Sequence, residues 1–274
     1  MGTARAELHL DLSSKTVVPG AVITVKILAS SDVIPLTLWA LERALPFYPE
    51  ASQAGRMCYT AYLPIPLNTK PGRYAVQARS EGPGSVAEIK IPFRVLSKSF
   101  PTQTVRLPKA ETKALLSSPR LDEEAKQFNR IFSIRIADAQ FHGNFVEPVT
   151  GTISSVYGAK RVYDNGTVGW QHRGVDIAAE FGSKVYATNA GIIRLSQQLT
   201  AHGASVVIDH GRGIFSVYNH LSRRDVSVNA AVLKGQCIGA VGESGLASGP
   251  HLHFGLVVNG ERVDPLQWRE QGPM

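Results

Sequence analysis

The chain has 274 residues, of which 43% are hydrophobic and 19% are charged. This composition excludes a disordered or fibrous protein, and the length predicts about two globular domains. The formal net charge of +7 favours anionic partners, but the Lys and Arg residues are scattered, which argues against a nucleic-acid partner. No run of about 20 apolar residues occurs, so the sequence predicts no transmembrane helix.

Residues 1–97 are predicted to form an N-terminal β-sandwich. Short runs that alternate apolar and polar residues, separated by Pro and Gly, are typical of this fold. The predicted strands are Ala21–Ala29, Val33–Leu41, Met57–Leu63, Arg73–Ala78 and Val86–Val95. Candidate catalytic residues do not cluster in this segment, so we expect it to be an accessory domain.

Residues 98–144 are predicted to be a linker that is first extended and then helical. Ser118-Pro119 is a good helix start, because Ser can cap the helix and Pro suits its first position. Apolar residues then recur at helical spacing as far as Phe132. A shorter helix is predicted over Lys109–Leu116. The amphipathic stretch most simply packs between the two domains.

Residues 145–274 are predicted to form a second domain, built on a mostly antiparallel sheet with long loops. Turn sequences such as Asp164-Asn165-Gly166 separate the strands. The predicted strands are Gly151–Val156, Lys184–Ala187, Gly191–Leu195, Ala204–Asp209, Ile214–Asn219, Cys237–Val241 and His251–Val258. The sequence as a whole therefore indicates an all-β-dominated fold with a short helical linker.

The two cysteines, Cys58 and Cys237, fall in different predicted domains. They form neither a zinc-binding spacing nor a disulfide framework. We expect each to behave as a separate, buried, small apolar residue.

Six of the eight histidines lie between residues 172 and 253. His251 and His253 belong to a predicted strand, in which residues i and i+2 point to the same face. Such a pair can place one metal ligand beside one proton-transfer group. Two histidines that line a polar sheet face are an equally simple explanation.

His172 and Asp176 supply a nitrogen and a carboxylate oxygen four residues apart. They can converge on one ion if Gly174 allows a tight bend. Zinc accepts both donor types, and a catalytic zinc site keeps three protein ligands and an open position. A His–Asp hydrogen bond that closes a loop is the alternative. His220 could act as a base or an oxyanion donor, or be a buried histidine bonded to backbone.

Three motifs occur in order along the second domain. They are His172-Arg173-Gly174-Val175-Asp176, Tyr218-Asn219-His220-Leu221-Ser222 and Gly249-Pro250-His251-Leu252-His253-Phe254. Together they resemble the motifs of the lysostaphin-type, or LytM-like, zinc endopeptidases, which are His-x-x-x-Asp, Tyr-x-His-Leu-Ser and Gly-Pro-His-x-His-Phe. The resemblance covers about residues 145–268.

The resemblance implies that His172, Asp176 and His253 bind Zn²⁺, with water or the substrate carbonyl in the fourth position. It further implies that His251 is the base that activates water and that His220 donates to the oxyanion, although the two could share these roles. The implied reaction is hydrolysis of peptide cross-links or stems in bacterial peptidoglycan. The bond cleaved, a glycine bridge or a D-alanine–diaminopimelate bond, stays open.

Other parts of the chain are interpreted through the same resemblance. The loops Gly158–Trp170 and Gly242–Gly249 are expected to wall the substrate groove. The N-terminal sandwich resembles the immunoglobulin-like accessory domains found beside some such peptidases. Asn144 is a possible blocking ligand of the zinc. The other histidines, including His202 in a Gly-rich loop, are expected to be ordinary loop or turn residues.

Two alternatives to an active hydrolase remain. One is a non-catalytic LytM-like regulator that binds the cell wall and activates another wall hydrolase, and the other is a wall-binding module with a structural metal. Retention of all three ligands and both further histidines favours the enzyme.

No signal peptide is recognisable, which leaves a cytosolic protein or an exported one whose signal has been removed. Because peptidoglycan lies outside the cytoplasm, we expect a periplasmic, cell-envelope or secreted location.

Overall fold

The structure is a computed structural model that describes residues 8–30, 36–53, 56–82, 85–105, 119–163 and 168–271. The chain divides into two compact units, one ending at Lys98 and the other beginning at Ser99. The predicted Lys109–Leu116 helix, the Ser118 cap and the Asp164-Asn165-Gly166 turn lie outside the described residues.

The first unit consists of two β-sheets. Its strands are β1 (Leu8–Leu12), β2 (Thr16–Val17), β3 (Val22–Ser30), β4 (Leu36–Ala40), β5 (Arg43–Ala44), β6 (Phe47–Gln53), β7 (Arg56–Pro64), β8 (Gly72–Gly82) and β9 (Ser85–Val95). One sheet has the order β1-β3-β7-β6 and the other β2-β9-β8-β4-β5. Neighbours are antiparallel except β2 and β9, which are parallel.

The two sheets of the first unit share one apolar core. Val25 and Ile27 enter it from the first sheet, and Val76 and Phe93 enter it from the second. Two sheets packed face to face on one core make a β-sandwich, as the strand pattern predicted. The immunoglobulin-like subtype stays a prediction, and the first residues of the predicted Val33–Leu41 strand lie outside the described part.

The second unit is built on a larger sheet. Its elements are β10 (Thr102–Val105), α1 (Pro119–Phe132), β11 (Thr152–Ser155), β12 (Lys160–Tyr163), β13 (Val168–Gln171), β14 (Val175–Ala178), β15 (Lys184–Tyr186), β16 (Gly191–Gln198), β17 (Ala204–Asp209), β18 (Ile214–Arg224), β19 (Ala231–Val232), β20 (Cys237–Val241), β21 (His251–Val258), β22 (Glu261–Val263) and α2 (Pro265–Gln271). The main path is β11-β14-β21-β18-β17-β16-β19, with antiparallel neighbours.

A small sheet of order β10-β12-β13 accompanies the main one. β10 lies parallel to β12, so the start of the predicted linker is a strand of the second unit. The described residues 99–105 and 119–144 belong to the second compact unit.

Helix α1 packs on the main sheet of the second unit. Phe128 and Phe132 join an apolar cluster that includes Phe215 of β18. The guanidinium of Arg262 lies 5.6 Å and 5.2 Å from the centroids of the two α1 rings, within cation–π range. The amphipathic stripe predicted from the sequence thus attaches the helix to the sheet.

Both cysteines are free thiols. Cys58 is buried, as expected, whereas Cys237 is only half-buried. Among the helices of the described residues, none is long and apolar enough to cross a membrane.

Candidate metal centre

Three neighbouring strands of the main sheet position the candidate site. Asp176 of β14 lies directly opposite His253 of β21, and Asn219 of β18 lies opposite His253 on the other side. His251 is two residues before His253 and points to the same face. His220 follows Asn219 directly. The sheet register therefore brings distant motifs to one place.

Three ligand-type atoms converge within this site. His172 Nε2 lies 3.0 Å from Asp176 Oδ1, His253 Nδ1 lies 2.8 Å from the same oxygen, and the two nitrogens are 2.9 Å apart. Ligands about 2.0–2.1 Å from a tetrahedral zinc ion lie roughly 3.3 Å from one another. The three atoms therefore form a slightly contracted face of such a tetrahedron.

The tautomer of His172 supports a metal at this point. Its Nδ1 lies 3.0 Å from the backbone oxygen of Val156, which can only accept, so Nδ1 carries the proton. Nε2 then directs a lone pair at the carboxylate of Asp176, which is unfavourable unless a cation lies between them. A ligating histidine that donates its other N–H to a carbonyl is the usual outer-shell arrangement. The residues present therefore fit a divalent metal ion.

The carboxylate of Asp176 is held in its ionised form. Burial alone would raise its pKa, but the adjoining imidazoles of His172 and His253 outweigh burial and hold the pKa well below its usual range. Its second oxygen, Oδ2, accepts from Arg161 Nη2 at 2.5 Å. Arg161 lies on β12, and sequence reasoning did not identify it.

An outer layer of contacts links the site to β10. Ser155 Oγ lies 3.0 Å from His172 Nδ1 and donates to Gln103 Oε1 at 2.5 Å. Because Gln103 belongs to β10, a strand upstream of the motifs also supports the orientation of His172. Such outer contacts fix the tautomer and direction of a metal ligand.

Gly174 lies at a bend of the chain, as the sequence predicted. Its φ is not in the positive region, so glycine is needed there for space rather than for a left-handed backbone. A Cβ at this position would lie 2.5 Å from the backbone oxygen of Phe254 and 2.9 Å from the ring of His253. Only glycine lets β14 approach β21 closely enough to bring Asp176 beside His253.

We expect Gly174→Ala to weaken zinc binding by about 10- to 100-fold, the range seen when outer support of a ligand is lost. The added methyl group meets backbone, so β14 and β21 must separate. Zinc affinity measured by competition with a chromogenic chelator checks this result. Gly72→Ala is the matched control, because the nearest atom to its Cβ is a Tyr74 side-chain carbon at 3.6 Å. Unchanged zinc affinity in Gly174→Ala would show that this close approach is unimportant.

Two further histidines border the triad. His251 Nδ1 lies 2.8 Å from the backbone oxygen of Gly249, and His220 Nδ1 lies 2.8 Å from that of Ser244. Both Nδ1 atoms therefore carry protons, which leaves lone pairs on both Nε2 atoms. His251 Nε2 is 3.9 Å from Asp176 Oδ1, and the rings of His251 and His220 have centroids 4.8 Å apart.

His220 is neutral in this arrangement. Burial, with a further contribution from the charge of nearby His251, lowers its pKa to about 3. Its backbone has a φ of 63°, a left-handed conformation that is rare for a side chain of this size. Strained conformations of this kind concentrate at functional sites.

Two other sequence expectations concern residues near the site. His202 was expected to be an ordinary loop residue, and it does lie in a loop, where it is half-buried. Its Nδ1 binds the buried carboxylate of Glu124 at 2.7 Å, a contact that the sequence did not predict. Asn144, considered as a blocking ligand, is exposed. In the described part of the chain its backbone oxygen accepts hydrogen bonds from Asn189 and Lys234, and these bonds give a blocking role no support.

Comparison with known proteins finds a family profile, curated relatives and a solved structure that are similar to this chain. The sequence profile of Peptidase family M23 matches residues 170–265, which include all five predicted site residues. The Peptidoglycan DD-endopeptidase ShyC of Vibrio cholerae is 33% identical over 157 residues, which is 57% of this chain and 30% of ShyC. The Murein hydrolase activator EnvC of Escherichia coli is 35% identical over 121 residues, which is 44% of this chain and 28% of EnvC.

A solved structure matches nearly the whole chain. The crystal structure of an M23 peptidase from Pseudomonas aeruginosa is 26% identical, covers 93% of this chain and 96% of its own, and has a TM-score of 0.65. By contrast, the alignments cover less than a third of the length of the two curated relatives.

Proposed function

This chain contains a domain of peptidase family M23, the LytM-like family, and from that premise we propose that it is a zinc-dependent endopeptidase of bacterial peptidoglycan. The observation that carries the proposal is the convergence of His172 Nε2, Asp176 Oδ1 and His253 Nδ1 within 3.0 Å of one another. Two histidines with free Nε2 lone pairs border this triad. Ligands and proton acceptors therefore stand side by side.

Zinc is the metal we assign to His172, Asp176 and His253. Two imidazole nitrogens and one carboxylate oxygen are a donor set typical of catalytic zinc sites. A bound zinc ion supplies a nucleophile near neutral pH by lowering the pKa of water to about 7.

His251 is the residue we assign as the general base. Its Nδ1 proton is held by the Gly249 carbonyl, so Nε2 has a lone pair ready to accept a proton. This nitrogen lies 3.9 Å from Asp176 Oδ1, which places it beside the metal ligands. A base must stand within reach of the proton that it removes.

His220 is the residue we assign to stabilise the oxyanion. Ser244 already accepts its Nδ1 proton, so His220 can donate to substrate only after Nε2 gains a proton. Because burial keeps the resting ring neutral, that proton must arrive during the reaction, and neighbouring His251 is the nearest carrier. The two histidines therefore share the proton transfers.

Peptide stems or cross-links of peptidoglycan are the substrate class we propose. ShyC, to which this chain is similar, is named as a peptidoglycan DD-endopeptidase. The five proposed site residues lie within residues 170–265, which the profile of Peptidase family M23 matches. A positive net charge of +7 suits an anionic wall polymer. A location in the periplasm, the cell envelope or the medium follows from this substrate.

The alternative is a non-catalytic activator of another wall hydrolase, which the similarity to EnvC favours. The triad and the two neighbouring histidines argue for catalysis, because a protein that acts only by binding would not need two proton acceptors beside a metal site.

Digestion of purified peptidoglycan separates these functions. We expect the zinc-loaded protein to release fragments with cut peptides and intact glycan strands, and a chelator to stop the release. Mass spectrometry of the fragments also identifies the bond cleaved. Glycan cleavage would overturn the substrate assignment. Wall degradation only when a second hydrolase is added would favour the activator.

A further inference from the structure

Glu124 is a buried acidic residue on helix α1, upstream of the matched region 170–265. Its Oε1 accepts hydrogen bonds from the backbone N–H groups of Thr200 and Ala201, the latter at 3.0 Å. Its Oε2 binds His202 Nδ1 at 2.7 Å. Burial of a carboxylate is costly unless it is well paired, and these three contacts offset that cost.

The segment that Glu124 holds leads directly to the active site. The backbone oxygen of His202 accepts a hydrogen bond from the backbone N–H of His220 at 3.0 Å. That N–H belongs to the residue with the left-handed φ of 63°. Such a conformation persists only where the surroundings enforce it, and the His202 carbonyl is one of its constraints.

A second constraint on His220 depends on the same segment. Its ring is held by the Ser244 carbonyl, and the backbone of the Ser244 loop rests against residues 200–203. Leu246 N–H donates to the Ala201 carbonyl at 2.8 Å. A Cβ on Gly203 would lie 2.3 Å from Ser244 O, so the two loops are in backbone contact.

Helix α1 is itself fixed in place. Phe128, one turn after Glu124, contacts the His202 ring edge-on with centroids 4.9 Å apart. The same phenylalanine is buried against the main sheet. The carboxylate of Glu124 is therefore presented to residues 200–202 by an anchored helix rather than by a free side chain.

We propose that Glu124 is a positioning residue of the active site, which holds residues 200–203 so that His220 stays beside His251. The expected effect of Glu124 on turnover rests on the proposed hydrolase function. The expected effect of Glu124 on the position of the His220 ring is independent of that function. Part of the proposed catalytic arrangement is thus supplied by a helix outside residues 170–265, the region that the profile of family M23 matches.

Substitutions at Glu124 separate its contacts. Glu124→Ala removes all three and should lower kcat at least about tenfold with little change in KM, because a small displacement of a catalytic group is costly. Glu124→Gln keeps an oxygen for the two N–H groups and should restore most of kcat. Glu123→Ala, an exposed neighbour on the same helix, is the matched control and should behave as wild type.

The test also needs a readout that does not depend on activity. In zinc-loaded protein, two-bond ¹H–¹⁵N spectra report the tautomer and environment of each imidazole. We expect Glu124→Ala to shift the His220 resonances while those of His172 and His253 stay close to wild type. If wild type proves inactive on peptidoglycan, this result still decides the positioning role.

If the Glu124→Ala variant does not fold, Glu124→Asp is measured in its place. It keeps the charge but withdraws the oxygens from residues 200–201, so it should shift the His220 resonances and lower kcat as well. Wild-type resonances of His220 together with wild-type kcat in either variant would overturn the proposal. An equal loss in Glu123→Ala would also overturn it, since the effect would then belong to the helix in general.

Discussion

Asp176→Ala should lose the metal and, with it, all measurable hydrolysis. In the proposed site the carboxylate is the one charged ligand, and its Oδ1 lies within 3.0 Å of His172 Nε2 and His253 Nδ1, the two nitrogens proposed as the other ligands. Removal of the Asp176 carboxylate leaves the guanidinium of Arg161 without its ion-pair partner, so its positive charge near the two imidazoles is no longer neutralised. We expect zinc affinity to fall by more than the roughly 100-fold that loss of an outer contact can cost.

Elemental analysis after dialysis against a weak chelator measures this loss. Wild type should retain about one zinc per chain, and Asp176→Ala should retain almost none. Asp138→Ala, at an exposed position of the same unit, is the control for the loss of a carboxylate and should retain zinc. Full zinc retention by Asp176→Ala would show that this residue is not a ligand.

His251→Ala should have the opposite combination, zinc bound but hydrolysis lost. Its ring is not one of the three ligands that converge, yet its Nε2 faces them at 3.9 Å from Asp176 Oδ1. Removal of a general base lowers rates by about 10²- to 10⁴-fold. We expect a loss of kcat in this range, with zinc content close to wild type.

Hydrolysis of a soluble cross-linked peptide, followed with zinc analysis of the same sample, checks this prediction. His142→Ala is the control, because His142 is an exposed histidine of the same unit. Undiminished kcat in His251→Ala would show that His251 is not the general base. Loss of zinc from the variant would instead make His251 a ligand.

The candidate site could be located from the sequence because its proposed ligands fall in short motifs. His251 and His253 share a strand face through the i, i+2 rule, and motif order indicated which distant residues join them. The structure places the pair on β21, whose boundaries match the predicted strand.

The supporting residues could not be predicted in this way. Arg161 contacts Asp176 from β12, a strand of the separate small sheet. Glu124 contacts a segment that begins 76 positions later in the chain, at Thr200. A single Arg or Glu carries no local pattern for such contacts. They arise only when tertiary packing is known.

The missed strands have similar physical reasons. β6 contains Pro49, which weakens a strand prediction, and the structure indeed places β6 at a sheet edge, where proline is tolerated. β14 is buried over its first three residues and so lacks the alternation that marks a half-exposed strand. Its identity as a strand depends on neighbours on both sides.

A crystal structure of the zinc-loaded protein, with anomalous diffraction measured at the zinc edge, tests the central claim most directly. We predict one strong peak about 2.0–2.2 Å from His172 Nε2, Asp176 Oδ1 and His253 Nδ1, with a water molecule as the fourth ligand. A peak elsewhere, or a fourth protein side chain closing the coordination sphere, would contradict the proposed catalytic centre.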